Sequence, residues 1–153
     1  MTLWLLVPFL IQALLMFFDE GYFHRRRGLP RWERIGHPLD TLTVVACQAF
    51  CVLRAPSSPH ALGIFIGLAA FSSLFVTKDE LVHSKLCSPA ENWLHAVLFV
   101  LHPVVLACFA VLWRQGDHPR LLQLQLGLTA TVAIFQTLYW SPMWNRKPFT
   151  SAR

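Results

Sequence analysis

Hydrophobic positions along the chain fall into five long runs, about Thr2 to Phe18, Pro38 to Leu53, Ala61 to Val76, Asn92 to Trp113 and Leu121 to Trp140. Each comes near the roughly 20 residues an α-helix needs to cross the hydrocarbon of a bilayer. The pattern predicts an all-α integral membrane protein, a single bundle of about five transmembrane helices over residues 1–144, with residues 145–153 as a disordered cytoplasmic tail. The second and third runs are short, which predicts little tilt or an extra turn at the end that carries ionisable residues. Pro38 suits the first turn of the second helix, where its missing N–H costs nothing. Pro103, inside the fourth, predicts a kink and a carbonyl freed near Phe99.

Composition supports this class, since 55% hydrophobic and 14% charged residues lie outside the range of ordinary soluble domains. A pI near 9.4 raises the question of nucleic acid. The basic residues stand between apolar runs rather than along one face, so membrane topology accounts for them and nucleic-acid binding is set aside. Ten of the thirteen, Arg25, Arg26, Arg27, Arg31, Arg34, Lys78, Lys85, Arg146, Lys147 and Arg153, fall on one face; Arg54, Arg114 and Arg120 fall on the other. The bias predicts an outside N-terminus and a cytoplasmic C-terminus, in a plasma membrane, the inner one in a bacterium. Met1 and Thr2 offer no basic region before the first run, which is therefore expected to remain as a helix. Trp4, Trp93, Trp113, Trp140 and Trp144 sit at segment ends, as an aromatic belt requires, and Trp32 falls in a basic stretch read as a topology-setting loop or a short interfacial helix.

Ionisable residues gather in two places. Thr77 to His102 carries Asp79, Glu80, His83, Glu91, His95 and His102; Asp19 to Asp40 carries Asp19, Glu20, His24, His37 and Asp40. Such side chains are costly at membrane depth and persist mainly where they pair, bind an ion or line a site. Five spans bring both places to the cytoplasmic end of the first four helices. Matching depths across the two hairpins predicts an outer layer of His24, His37, His83 and Glu91 and an inner layer of Glu20, Asp40, Asp79 and His95, about 6 Å apart. Glu20 with His24, Asp79 with His83, and Glu91 with His95 share a carboxylate-x-x-x-His spacing that puts both side chains on one helix face. Glu80 and His83 form the Glu-x-x-His spacing of carboxylate-bridged di-metal bundles.

These residues predict a metal site held by Glu20, His24, His37, Asp40, Asp79, Glu80, His83, Glu91 and His95, with Cys87 as an optional ligand. Mixed imidazole and carboxylate donors suit iron, manganese or zinc, and their number suits two ions, expected to be iron. A salt-bridged network neutralised by the arginines, Lys78 and Lys85 is the plainer alternative, and a proton or ion pathway is the third. His102, about 10 Å deeper than His95, is read as a core histidine bonded to a carbonyl, with a ligand of haem (the runner-up cofactor), a proton-relay member and a substrate contact as the alternatives. His60 and His118 are read as exposed loop residues, and the cysteines Cys47 and Cys51 as apolar packing. The fifth segment, with Gln123, Gln125 and Gln136 but no acid or histidine, is expected to pack outside the site.

The histidines at the cytoplasmic end resemble, in general idea, the membrane di-iron hydroxylases and desaturases, although the His-x-x-x-His and His-x-x-His-His boxes of those proteins are absent. The carboxylate-x-x-x-His spacing is similar to the motif of haem A synthases, whose duplicated bundle this chain is too short to hold. The expected function is oxygen-dependent oxidation of a lipid-soluble small molecule drawn from the bilayer. Zinc in the same site predicts a hydrolase with Glu80 as general base and catalytic residue. A non-enzymatic metal or proton carrier, or a subunit bound to a membrane protein partner, is the remaining class, and it predicts a polar path continuing past His102.

Overall fold

The computed structural model describes residues 2–116 and 118–140. Within them the chain is all-helical, and five helices are long and apolar enough to cross a membrane: α1 (Trp4–Arg27), α2 (Arg31–Leu53), α3 (Ala61–Leu86), α4 (Pro89–Gln115) and α5 (Pro119–Tyr139). Trp144 and the tail from residue 145 lie outside the described residues, as does Asp117. The segments appear in the expected order, but four boundaries move toward the ionisable residues, α4 beginning at Pro89 so as to include Glu91. α1 continues beyond Phe18, α2 begins before Pro38, and α3 continues beyond Val76. Those side chains find partners inside the bundle, so the helices run through them instead of stopping at the polar positions.

The longer α2 changes two expectations. Pro38 lies within the helix rather than in its first turn, and its ring deprives the Arg34 carbonyl of a helical donor. Trp32 belongs to α2 as well, so the basic stretch is not a separate helix along the surface. The turn into α2 is Gly28-Leu29-Pro30. Gly28 has φ 74° and ψ 163°, a conformation that only glycine adopts readily. Leu29 is buried beneath the turn, and Arg34 Nε donates to the Leu29 carbonyl at 2.6 Å, closing it. The α3 to α4 turn is only Cys87-Ser88; the Ser88 hydroxyl accepts from the Glu91 N–H at 3.3 Å and Pro89 takes the first helical position, where its missing donor is harmless.

α2 lies against α3 and α5, and α4 lies against α1 and α3. Contacts at both ends make successive helices alternate in direction. The His24 and His37 rings meet at one end, with centroids 4.7 Å apart, and at the other the Trp113 indole donates to the Arg54 carbonyl at 2.8 Å. The half of the bundle near Arg54 is an apolar core that includes Phe9, Cys47, Cys51, Phe65, Phe109 and Leu112. Cys47 and Cys51 thus pack as small apolar residues. Trp4 and Trp93 are 80% and 73% exposed, as a belt requires, but Trp113 and Trp140 are 2% and 1% exposed. Both of these are spent on internal hydrogen bonds rather than on an interface. His60 and His118 are exposed loop residues, as expected.

Replacing Gly28 by alanine forces a side chain into that glycine conformation, with an expected loss of about 1–3 kcal/mol. Gly63→Ala, inside a helix where a methyl group meets nothing within 4 Å, is the control and should raise stability by about 0.5–1 kcal/mol. Thermal unfolding of both variants in detergent, followed by circular dichroism, checks the difference; equal melting would remove the strained-turn account.

Candidate metal centre

The site begins with a change of helical type. Over Asp19–His24, α1 is π-helical. In an α-helix residues five apart diverge by about 140°, whereas the wider π turn brings them onto one face. His24 Nε2 consequently lies 3.2 Å from Asp19 Oδ2, and its Nδ1 lies 3.4 Å from Glu20 Oε2. Asp19, passed over in the ligand set expected from α-helical spacing, becomes central: the same Oδ2 lies 3.0 Å from His95 Nε2 on α4.

Four imidazoles then form a connected group. His24 meets His37 at 4.7 Å and His95 at 5.9 Å between centroids; His83 meets His37 at 6.2 Å and stacks on His95 at 3.9 Å. The expected layers put His95 one turn deeper than His83. Side chains tilt toward the N-terminus of their own helix, so on antiparallel helices His83 leans inward and His95 leans outward, and the rings meet.

Glu91 keeps an oxygen within 4.8 Å of ligand atoms of Asp19, His24 and His95 and also reaches an ion pair beyond them. It accepts from Arg27 Nη2 at 2.9 Å, and Arg27 Nη2 also donates to Glu33 at 2.9 Å, making a buried outer ion cluster. Neither Arg27 nor Glu33 was among the expected site residues. Cys87, in the turn beside this cluster, has its thiol pushed up from the ordinary range by burial, which favours the neutral form.

Glu20 and Asp40, expected to face each other, go separate ways. Glu20 accepts from Gln136 Nε2 at 2.7 Å and from Trp140 Nε1 at 2.8 Å, and Gln136 Oε1 in turn accepts from Thr41 at 2.6 Å. α5 is therefore not outside the site; its amide and indole were missed because the search was for acids and histidines. Asp40 accepts from Lys78 Nζ at 2.6 and 2.8 Å, and Lys78 also lies 3.0 Å from Asp79. Lys78 is thus an internal counterion rather than a loop charge.

Glu80 corrects the expected set most clearly. It is exposed, while Asp79 and His83 on either side of it are buried, and it joins no group of converging ligand atoms. Successive residues turn by about 100°, and with Lys78 and Asp79 turned inward the next step carries Glu80 to the exposed side. His102 is buried, but its partner is the Ser72 hydroxyl at 2.9 Å rather than a backbone carbonyl.

Two groups of potential ligand atoms share no residue. Asp19, His24, Glu91 and His95 form one; His37, Asp79 and His83 form the other, with the atoms of each group within 4.8 Å of one another. Glu20 with His24 and His37, and Cys87 with His83 and His95, form overlapping groups. Within the two separate groups, Asp19 Oδ1, His37 Nε2, His95 Nδ1 and both nitrogens of His83 are buried without a hydrogen-bond partner. Buried polar atoms are rarely left so, and unpartnered imidazole nitrogens beside carboxylates are the donor set of a transition metal.

A cavity of about 420 Å³ adjoins this cluster, with Asp19, His37, Asp79, His83 and His95 in its wall. Leu10 and Phe17 on α1 and Leu128 and Phe135 on α5 also line it and are exposed on the outside of the bundle. The cavity therefore reaches the outer surface between α1 and α5. Comparisons with protein-family models, curated proteins and solved structures give no match. The class rests on fold and site alone: an all-helical chain with five helices of membrane-crossing length, carrying grouped histidines and carboxylates that fit metal ions.

Arg27→Ala leaves Glu33 and Glu91 buried without their guanidinium, and a loss of about 3–5 kcal/mol is expected. Arg27→Lys should recover only part of it, because an ammonium does not reproduce the guanidinium fork. Thermal unfolding in detergent distinguishes these outcomes, and an alanine variant as stable as the parent would show the ion cluster to be dispensable.

Proposed function

We propose that the protein is a membrane-embedded oxidoreductase with two iron ions that acts on a lipid-soluble molecule. The carrying observation is the pair of separate ligand groups at the wall of an apolar cavity. His37, Asp79 and His83 supply the two imidazoles and one carboxylate that non-haem iron sites use, and Asp19, His24, His95 and Glu91 supply the second set. Iron held there supplies oxygen activation. The residues themselves hold and orient: Gln136 and Trp140 fix Glu20 beside His24, and Lys78 fixes Asp79 beside His37.

Charge balance favours divalent ions. Six buried or half-buried carboxylates, Asp19, Glu20, Glu33, Asp40, Asp79 and Glu91, stand against three cationic side chains of the same burial, Arg27, Arg34 and Lys78, and Arg34 is turned to the Leu29 carbonyl. The carboxylates without an arginine or lysine partner in the described contacts, Asp19 and Glu20, would be offset by a bound cation. Protonated histidines would offset them too, but protonating both His83 and His95, whose rings stack at 3.9 Å, places like charges in contact.

The hydrolase reading loses support because Glu80, its general base, is exposed. The carrier reading needs a polar path beyond His102, where Val105, Leu106, Phe109, Leu112 and Trp113 pack instead. The orientation with the outside N-terminus follows from the distribution of arginine and lysine.

Elemental analysis of protein purified after growth with iron, zinc and manganese should find two transition-metal ions per chain. His24→Ala and His37→Ala should each lose one, and Glu80→Gln should lose none. Background metal in the parent would return the cluster to a salt-bridged network. His83→Ala tests the enzymatic part: lipid and quinone pools unchanged by mass spectrometry in cells lacking the parent protein would remove it, even with the metal confirmed.

A further inference from the structure

A second polar layer stands two helical turns inside the first. Gln12 precedes Asp19 by seven residues, Gln48 follows Thr41 by seven and His102 follows His95 by seven. Seven residues are close to two turns, so each pair shares a helix face at a separation of about 10 Å. With Gln125 of α5, these side chains line the same cavity as the metal-type cluster. Between the layers the wall is apolar, with Met16, Val44, Leu98, Phe99 and Val132.

Buried glutamines in membrane helices ordinarily bond across to a neighbouring helix, as Gln136 does with Thr41 and Glu20. Gln48 is only 1% exposed, yet its Oε1 has no partner, and the buried Oε1 of Gln12 has none either. His102 belongs to a chain whose direction can be worked out. Thr43 Oγ1 donates to the Asp40 carbonyl at 2.7 Å, so it accepts from Ser72 Oγ at 2.7 Å; Ser72 then accepts from His102 Nε2 at 2.9 Å. The proton sits on Nε2, and Nδ1 of the neutral ring is left as an acceptor. Acceptors from three helices therefore belong to residues in the wall of a largely apolar cavity, and a hydroxyl group can donate to one of them.

We propose that this layer is a hydroxyl-binding subsite, and that the ligand of the cavity is a lipid-soluble alcohol. Its hydroxyl group lies among Gln12, Gln48 and His102, and its hydrocarbon extends about 10 Å to the histidine cluster. The proposal deepens the oxidoreductase reading and depends on it only for which end of the molecule reacts; the alcohol subsite itself is independent of any metal.

The test uses two photoreactive probes that differ by one group: dodecanol with a mid-chain diazirine, and the corresponding dodecane. Full-length protein in lipid nanodiscs is labelled with each, and cavity-lining peptides of α1 and α4 are quantified by mass spectrometry. The alcohol should label them about fivefold more than the alkane, as one net hydrogen bond provides. Gln48→Leu should abolish that preference while alkane labelling persists, which shows that fold and cavity are intact. Should Gln48→Leu fail to label with the alkane, Gln12→Leu is judged by the same two readings. Equal labelling by the two probes in the parent, or a preference that survives the substitution, overturns the subsite. Metal is measured on the same samples, so a hydroxyl preference without metal keeps the subsite and rejects the metalloenzyme.

Discussion

An excess of negative charge enclosed at one end of an apolar bundle is the constraint to which the other features respond. Two unit charges 4 Å apart interact by roughly 4 kcal/mol at an effective dielectric near 20, so three uncompensated contacts already rival the 5–15 kcal/mol that holds a typical domain together. Arg27 between Glu33 and Glu91, and Lys78 between Asp40 and Asp79, deal with part of that excess. The structure thereby divides two accounts that seemed to compete. Salt bridges explain the outer glutamates and the Asp40 side, whereas Asp19 and the four histidines have neither arginine nor lysine beside them in the described contacts. The proposed divalent ions answer that remaining part.

Backbone geometry decides which residues take which share. The π-helical turn at Asp19–His24 presents Asp19, Glu20 and His24 together, so one short segment serves two neighbours: Asp19 turns to α4 and Glu20 to α5. Gly28 lets the chain reverse within three residues and sets Arg27 beside Glu33. In the second hairpin the two-residue turn fixes the helices so closely that the tilt of the side chains is enough to stack His83 on His95.

The five helices and their polar end were legible because twenty apolar residues interrupted by grouped acids and histidines have few other solutions in a bilayer. The membership of the site was less so. Asp19 was hidden by the π turn, since α-helical periodicity points it away from His24. Glu80 was favoured by a spacing rule, yet the step of about 100° from Asp79 carries it to the exposed side. Gln136 and Trp140 were hidden for a chemical reason: neither is charged, and an indole at a segment end reads as an interfacial anchor. Arg27 and Lys78 counted as topology signals because composition cannot tell a solvated loop cation from a buried counterion.

α5 shows how such a bundle can hold a site and a cavity together. Gln136 and Trp140 tie its last turns to Glu20, and Gln136 ties it to Thr41 of α2. Earlier turns of the same helix instead line the cavity through Gln125, Leu128 and Val132. Fixed at the cluster and against α2, α5 leaves the cavity walled by side chains of α1 and α5 that are themselves exposed on the bundle surface. The opposite half is filled by aromatic packing around Phe109 and Trp113. Polar anchoring at one end and dense packing at the other thus place the opening on the side of the bundle, where a bilayer would offer it hydrocarbon rather than water.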